Sequence, residues 1–475
     1  MMRILAKTVL LAAALVGLTT TLPGDVPCCE LRYTVRPDPA NAAVEVELEI
    51  HGFLGDSLVL QRPSTRPLVG LLNQDPRVDG VMRTHWSLVE GAPRWAFARP
   101  ASGWEDPVRV RYRLSIPAQR PLNAWSVGLD DNLLYSPAEG LFLTPSMAAT
   151  AAENAPISVD WRLPDGWDAF SGWPGGSFRG TRTLLKTNVL AGEIGFYRAS
   201  SCGIDVELGV HGQWTFPPDS LASDLSRLAC AARERLGEPK AHRYAVTLVQ
   251  ARFPMTSGNR NGPHTIGFVH SVPGGTPPST RLVAHELVHL WQRFDAPQWF
   301  QEGVNDYMAI RLAHDAGLLD DERMLAQLSA IDSVYRAHPK RKAWTFADED
   351  ENAPPHGPSD QYLAYRKGAL VGLALDRELR LRTGGQADLA ALWRDMNAQA
   401  RWGRVQWSDE DIAKRAAALA GGGVERFWGL YVDGTAMLPA AAALASNLPP
   451  PAEPRLADRS SAAAFLQALI ARIGS

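Results

Sequence analysis

Cysteine is scarce in this chain, with four in 475 residues, at positions 28, 29, 202 and 230. Two are adjacent and two are distant, so their spacing makes no metal site. Neighbours in sequence rarely bridge each other, so any disulfide is expected between Cys28 or Cys29 and the distant Cys202 and Cys230. A strong net charge is also missing. The formal value is −3, and losing Arg3 and Lys7 with a leader would make it −5, and neither value suggests a nucleic-acid partner. No apolar run is long enough for a comfortable membrane span. The longest at the start, Thr8–Leu18, follows the basic Met1-Met-Arg-Ile-Leu-Ala-Lys7, and residues 1–22 read as an export signal or an uncleaved N-terminal anchor. Asp25 and Pro27 stand where a lipoprotein signal has small apolar residues. One further absence is local: from Pro239 through His285 there is no Asp or Glu, while Lys240, Arg243, Arg252, Arg260 and Arg281 are present.

With 45% hydrophobic and 21% charged residues the chain has ample material for a core, and its length predicts two or three domains. Ala43-Val-Glu-Val-Glu-Leu-Glu-Ile50 and Val108-Arg-Val-Arg-Tyr-Arg-Leu-Ser-Ile116 alternate strictly, and Pro164-Asp-Gly166 and Gly172-Trp-Pro-Gly-Gly176 punctuate the runs. This pattern predicts an antiparallel, β-sandwich-like domain over residues 28–208, serving as scaffold and as one wall of a groove. Ser220–Leu236 reads as helix, His242–Val249 as strand, and helices dominate from Thr280 to Leu430. The fold class is therefore α+β, with an αβ lobe and a helical lobe over residues 209–440. Residues 441–475 form an Ala/Pro-rich tail with a short amphipathic helix, Ala457–Ile473. Asp348–Glu351, with His356 and several prolines, reads as a solvated surface loop.

The chemistry concentrates in His285-Glu286-Leu287-Val288-His289. Two histidines four apart share one helical face and can grip one Zn²⁺, and the glutamate between them can act as general base on a water that the metal activates. Arg281–Trp291 has no Gly or Pro, and Ser279 or Thr280 is available as N-cap. Two histidines and a glutamate in so apolar a stretch are costly to bury without partners, and a metal is the simplest one. A turn through Phe294-Asp-Ala-Pro297 leads into a second helix, Gln298–Ala309. Glu302, thirteen positions beyond His289, can return to the metal as third ligand. Asp306, one turn further, is placed to accept the second ring N–H of a ligating histidine. His264, His270 and His356 remain spare.

These residues resemble the gluzincin metallopeptidases, and most closely the glycyl aminopeptidase family, whose members often carry a PDZ domain. Four blocks carry the likeness over about Arg281 to Pro439. They are His285–Trp291, Trp299–Tyr307, the stretch Tyr365-Arg-Lys-Gly368 through Asp376, Glu378-Leu-Arg380 and Arg382-Thr-Gly-Gly385, and Phe427-Trp-Gly-Leu-Tyr-Val-Asp-Gly-Thr435. The resemblance implies a thermolysin-like catalytic domain. It implies His285, His289 and Glu302 as zinc ligands, Glu286 as general base, and Tyr365 as hydrogen-bond donor to the tetrahedral oxyanion, with Tyr362, one turn earlier, as the competing tyrosine. No PDZ-sized segment follows Pro439. Two departures stand out. The stretch between the second histidine and the third ligand is shorter than in that family, and the Gly-rich strand upstream, here Thr256-Ser-Gly-Asn-Arg260 and onward, lacks the glutamate that holds a substrate's free amine. The expected function is zinc-dependent hydrolysis of an exported or extracellular peptide or protein, as aminopeptidase or endopeptidase. The alternative is a non-catalytic peptide-binding protein on the same scaffold.

Overall fold

The computed structural model describes residues 29–62, 76–89, 92–116, 122–272, 275–348, 358–400 and 405–441. The expected leader, Cys28, the acidic residues 349–351, His356 and the tail helix lie outside them. Among the described residues no helix is long and apolar enough to cross a membrane.

The N-terminal part follows from alternation. In the strands Ala43–His51 and Val108–Ser115, Val44, Val46, Leu48 and Ile50 face inward beside Val108, Val110, Tyr112 and Leu114, all buried. The outward residues pair in register, Glu45 with Arg113, Glu47 with Arg111 and Glu49 with Arg109. Opposite charges across a ladder set register more than they add stability, because exposed pairs are worth about 0–1 kcal/mol. The six-stranded sheet holding these strands is mixed, not purely antiparallel: Glu30–Asp38 runs parallel to Pro156–Trp161, with Leu31 opposite Ile157. Two four-stranded antiparallel sheets complete this part.

A five-stranded sheet opens the second part, in the order Ile194–Ser201, Ile204–His211, Arg243–Val249, Thr265–Ser271, Met255–Arg260. The hairpin Ile194–His211 alternates like the strands before it, yet it joins this sheet, Leu208 pairing with Val246. Helix α1 (Pro218–Leu236) makes the crossover between the parallel strands, burying Leu221, Leu225, Leu228 and Leu236. A disulfide links Cys202, in the hairpin turn, to Cys230 on α1. The expectation that these two would bridge to Cys28 or Cys29 is therefore wrong. Packing α1 against the hairpin brings the two Cα atoms within 5.9 Å, a proximity that sequence separation does not reveal.

Helix α2 (Thr280–Trp291) lies beneath this sheet, and Ser279 caps it by accepting from the Leu282 N–H at 3.3 Å, a contact worth about 1 kcal/mol. Its Val283, Ala284, Leu287, Val288 and Trp291 enter the largest core. After the turn the chain forms a π-helical segment, Trp299–Val304, that runs into helix α3 (Asn305–Asp315). The connecting turn is pinned by main-chain bonds from Asp295 to Val405 and from Trp407 to Asp295. Helix α4 (Pro358–Thr383) packs across the π segment. The two touch through glycine: a Cβ on Gly303 would lie 2.6 Å from the Gly368 Cα, and one on Gly368 would lie 2.3 Å from the Trp299 carbonyl.

Candidate active site

Helix α2 presents His285 and His289 on one face and Glu286 at its edge, all buried and lining one cleft, beside Glu302 from the π segment. An i→i+5 turn widens the helix where Glu302 sits, a local feature frequent at functional sites. The two histidine Nε2 atoms are 3.1 Å apart, and Glu302 Oε2 lies 3.2 Å from His285 Nε2 and 3.5 Å from His289 Nε2. Among the described residues this is the group whose donor atoms all fall within 4.8 Å of one another.

The second ring nitrogens decide what these atoms can hold. His285 Nδ1 lies 3.0 Å from Asp306 Oδ1, a carboxylate that only accepts, so Nδ1 carries the proton. Gln292 donates its Nε2 to the Phe294 carbonyl at 2.9 Å, which turns its Oε1 toward His289 Nδ1 at 3.3 Å, so that nitrogen donates as well. Both Nε2 lone pairs are thereby left facing each other and a carboxylate oxygen. Asn305 Nδ2, 3.0 Å from His289 Nε2 and 3.2 Å from the His285 carbonyl, also reads His289 Nε2 as an acceptor. Three lone-pair donors converging in a buried spot fit a cation of the zinc type, with ring tautomers set by Asp306 and Gln292. Burial alone would lower the His285 pKa, but the Asp306 and Glu302 carboxylates outweigh burial and raise it well above the usual value, so the spot facing Nε2 favours a positive charge, which is either a proton or a metal cation in its place. Burial would raise Glu302, yet the facing His289 and His285 pull it well below the carboxylate range.

Glu286 lines the same cleft, and burial raises its pKa. It is backed by the edge strand Met255–Arg260. An added Cβ on Gly258 would lie 2.5 Å from Glu286 Oε1, 2.7 Å from its Cγ and 2.9 Å from its Cδ. That strand is held from behind by buried polar contacts to the N-terminal part. Asn188 Nδ2 donates to Asn259 Oδ1 at 2.8 Å, and Asn259 donates to the Ala124 carbonyl, while on the neighbouring strand the Thr265 hydroxyl meets that of Thr187 at 3.3 Å. Next to Ala124, Trp125 of the β-rich part lines the cleft.

Tyr365 on α4 lines the cleft as well, its ring stacked on His285 with centroids 6.3 Å apart. Burial and then the nearby Glu302 carboxylate push its pKa far up, so the hydroxyl stays protonated and remains a donor. The Tyr362 side chain is outside the described residues. Lys367 and Asp376 of the matching blocks serve the fold. Lys367 donates to the Gly434 carbonyl at 2.9 Å, and Asp376 accepts from Tyr307 at 2.6 Å and from the Leu389 N–H at 2.8 Å.

The cleft encloses about 590 Å³ and also takes in Arg260, Ser279, Arg281, Gln301 and Arg366. Asp348 turns away into a local bond, its Oδ2 accepting from the Thr345 hydroxyl at 2.8 Å. The spare His264 and His270 are engaged elsewhere, with the Gly172 carbonyl at 3.0 Å and the Thr256 hydroxyl at 2.9 Å. Sequence reading missed Gln292, Asn305, Trp125 and Arg366. Gln292 alone left a signal, three positions beyond a ligand-type histidine at the helix end.

No family profile and no curated protein matches the chain. Solved structures do. An aminopeptidase N family protein from Idiomarina loihiensis is similar at 19% identity with a TM-score of 0.69, over 86% of this chain and 77% of that one. An M1 zinc metallopeptidase from Deinococcus radiodurans is similar at 16% identity with a TM-score of 0.53, over 87% and 96%. The fold is that of the M1 zinc metallopeptidases. A yeast LTA4 hydrolase in complex with bestatin shares it at 12% identity with a TM-score of 0.53, over 87% of this chain and 68% of that one. Within this M1-type fold, the edge strand that backs Glu286 turns Arg260, and no carboxylate, toward the cleft.

Proposed function

We propose that the protein is a zinc-dependent peptide hydrolase acting on exported or extracellular peptides, with His285, His289 and Glu302 holding the metal. The carrying observation is the pair of histidine Nε2 lone pairs and the Glu302 oxygen converging beside the buried Glu286 carboxylate at a cleft wall. Bound zinc supplies Lewis acidity, polarising a carbonyl and acidifying a water. Glu286 takes a proton from the attacking water as its oxygen bonds to the peptide carbonyl carbon. It then delivers that proton to the departing amine as the C–N bond breaks. Its raised pKa, caused by burial, suits a group that must both accept and return a proton. The Tyr365 hydroxyl donates to the carbonyl oxygen as negative charge builds there. Asp306 and Gln292 keep the two imidazoles in the right tautomer. The centre lacks none of these groups, so the non-catalytic scaffold has no observation in its favour.

The test is Glu286→Gln. The variant is expected to keep its metal and lose about two to four orders of magnitude in rate on a peptide library. Full activity in a variant of unchanged metal content would remove Glu286 from the reaction.

A further inference from the structure

The cleft differs from an ammonium-binding site in its charge. Among the described lining residues the carboxylates are Glu286, Glu302 and Asp306, and each already serves another group. Glu302 faces the two histidines, Asp306 Oδ1 holds His285, and Glu286 abuts Gly258. Against them stand the guanidiniums of Arg260, Arg281 and Arg366. Arg281, in the first turn of α2, and Arg366, next to Tyr365 on α4, come from different helices and converge on one oxygen. Each has Nη1 3.9 Å from Asp306 Oδ2, an ion-pair distance too long for a hydrogen bond. Both guanidiniums thus stand at ion-pair distance from one carboxylate whose other oxygen is committed to His285. They are not sealed in: their side chains are 31% and 22% exposed, and the exposed parts border the cleft, while Asp306 is 9% exposed. Ser279 and the N-terminal end of α2 border the same corner, adding the positive end of a helix dipole.

We propose that Arg281 and Arg366 form a carboxylate-binding subsite, and that the preferred peptides carry a carboxylate close to the scissile bond. This deepens the hydrolase reading and rests on it. A guanidinium pair recognises a carboxylate through charge-assisted, bidentate bonds, and a partly desolvated cleft strengthens them. An α-carboxylate and an Asp or Glu side chain present the same chemistry, so the test separates them.

One peptide frame is prepared in four forms: C-terminal acid or amide, each with Glu or Gln beside the cleaved bond. Binding is measured to Glu286→Gln protein by fluorescence anisotropy, and kcat/KM to the active protein. The expected result is a preference of about ten- to hundredfold for one acidic form over its neutral twin, in binding and in kcat/KM. That preference should collapse toward unity in Arg281→Ala/Arg366→Ala and fall with added salt. A preference for the acid over the amide identifies the α-carboxylate, and one for Glu over Gln identifies the side chain. Equal handling of all four forms overturns the subsite. So does a parallel loss on acidic and neutral peptides in the double variant, which would mean the arginines only hold Asp306. Should the double variant fail to fold, Arg281→Gln and Arg366→Gln singly give the same comparison. Acidic peptides that bind Glu286→Gln protein but are never cleaved by the active protein would end the hydrolase reading while leaving the subsite standing.

Discussion

Replacing Gly258 by Ala is a one-carbon perturbation aimed at a single carboxylate. The glycine has no positive φ, so alanine adds no backbone strain, and the whole effect comes from where the methyl goes. It would sit 2.5 Å from Glu286 Oε1 and below 3 Å from Cγ and Cδ. Ordinary contact needs about 3.5 Å, so the carboxylate must retreat by roughly 1 Å. Its tip cannot simply swing aside, because Cγ clashes as well and the side chain is buried. A displacement of that size at a reacting group costs about a hundredfold in rate. The metal ligands are untouched, so zinc content should stay at the wild-type level. Steady-state kinetics and elemental analysis on the same preparation are the assay. The expected result is kcat down about a hundredfold, with an unchanged metal ratio and little change in Tm. Activity within about twofold of wild type would show that Glu286 need not occupy the position that Gly258 leaves open.

Three other perturbations separate the parts of the account. Tyr365→Phe removes one of two oxyanion donors and should lower kcat about a hundred- to a thousandfold with metal retained; a silent substitution would pass the role to another residue. Acetylating the amino terminus of a good peptide substrate should change kcat/KM by less than about tenfold, since the described cleft lining has no uncommitted carboxylate for an ammonium; a loss beyond about a hundredfold would reveal an amine anchor. Burial lowers the Lys367 pKa from 10.5 to about 8. A folded-state value below the unfolded one means the charged form destabilises the fold fully below pH 8, and the penalty fades as pH rises toward 10.5. The Tm of wild type relative to Lys367→Met should therefore climb over that interval, and a pH-independent difference would refute the assignment.

The clustering of His285, His289 and Glu302 was legible because its logic is local. Two histidines at i and i+4, a Ser N-cap and apolar flanks define both helix and face, and Glu302 and Asp306 follow at helical spacing on the next one. The strands Ala43–His51 and Val108–Ser115 were legible for the same reason, their period of two being strict. What stayed hidden depends on which elements meet. Cys202 and Cys230 approach only because α1 packs on the hairpin Ile194–His211. Gly258 matters only because an edge strand lies against Glu286, and Arg366 acquires a role only because α4 crosses the π segment at Gly303 and Gly368. The parallel pairing of Glu30–Asp38 with Pro156–Trp161 joins strands too far apart in sequence for any turn signal to announce.

The proposed hydrolysis stands on His285, His289 and Glu302 together holding one catalytic zinc. Elemental analysis of dialysed wild-type protein, alongside His289→Ala and Glu302→Ala and with peptidase activity measured on each sample, tests it most directly. About one zinc per wild-type chain is expected, with a ratio near zero in both variants and activity that tracks the metal. Peptidase activity in wild-type protein that carries no metal, or full zinc occupancy in either variant, would contradict it.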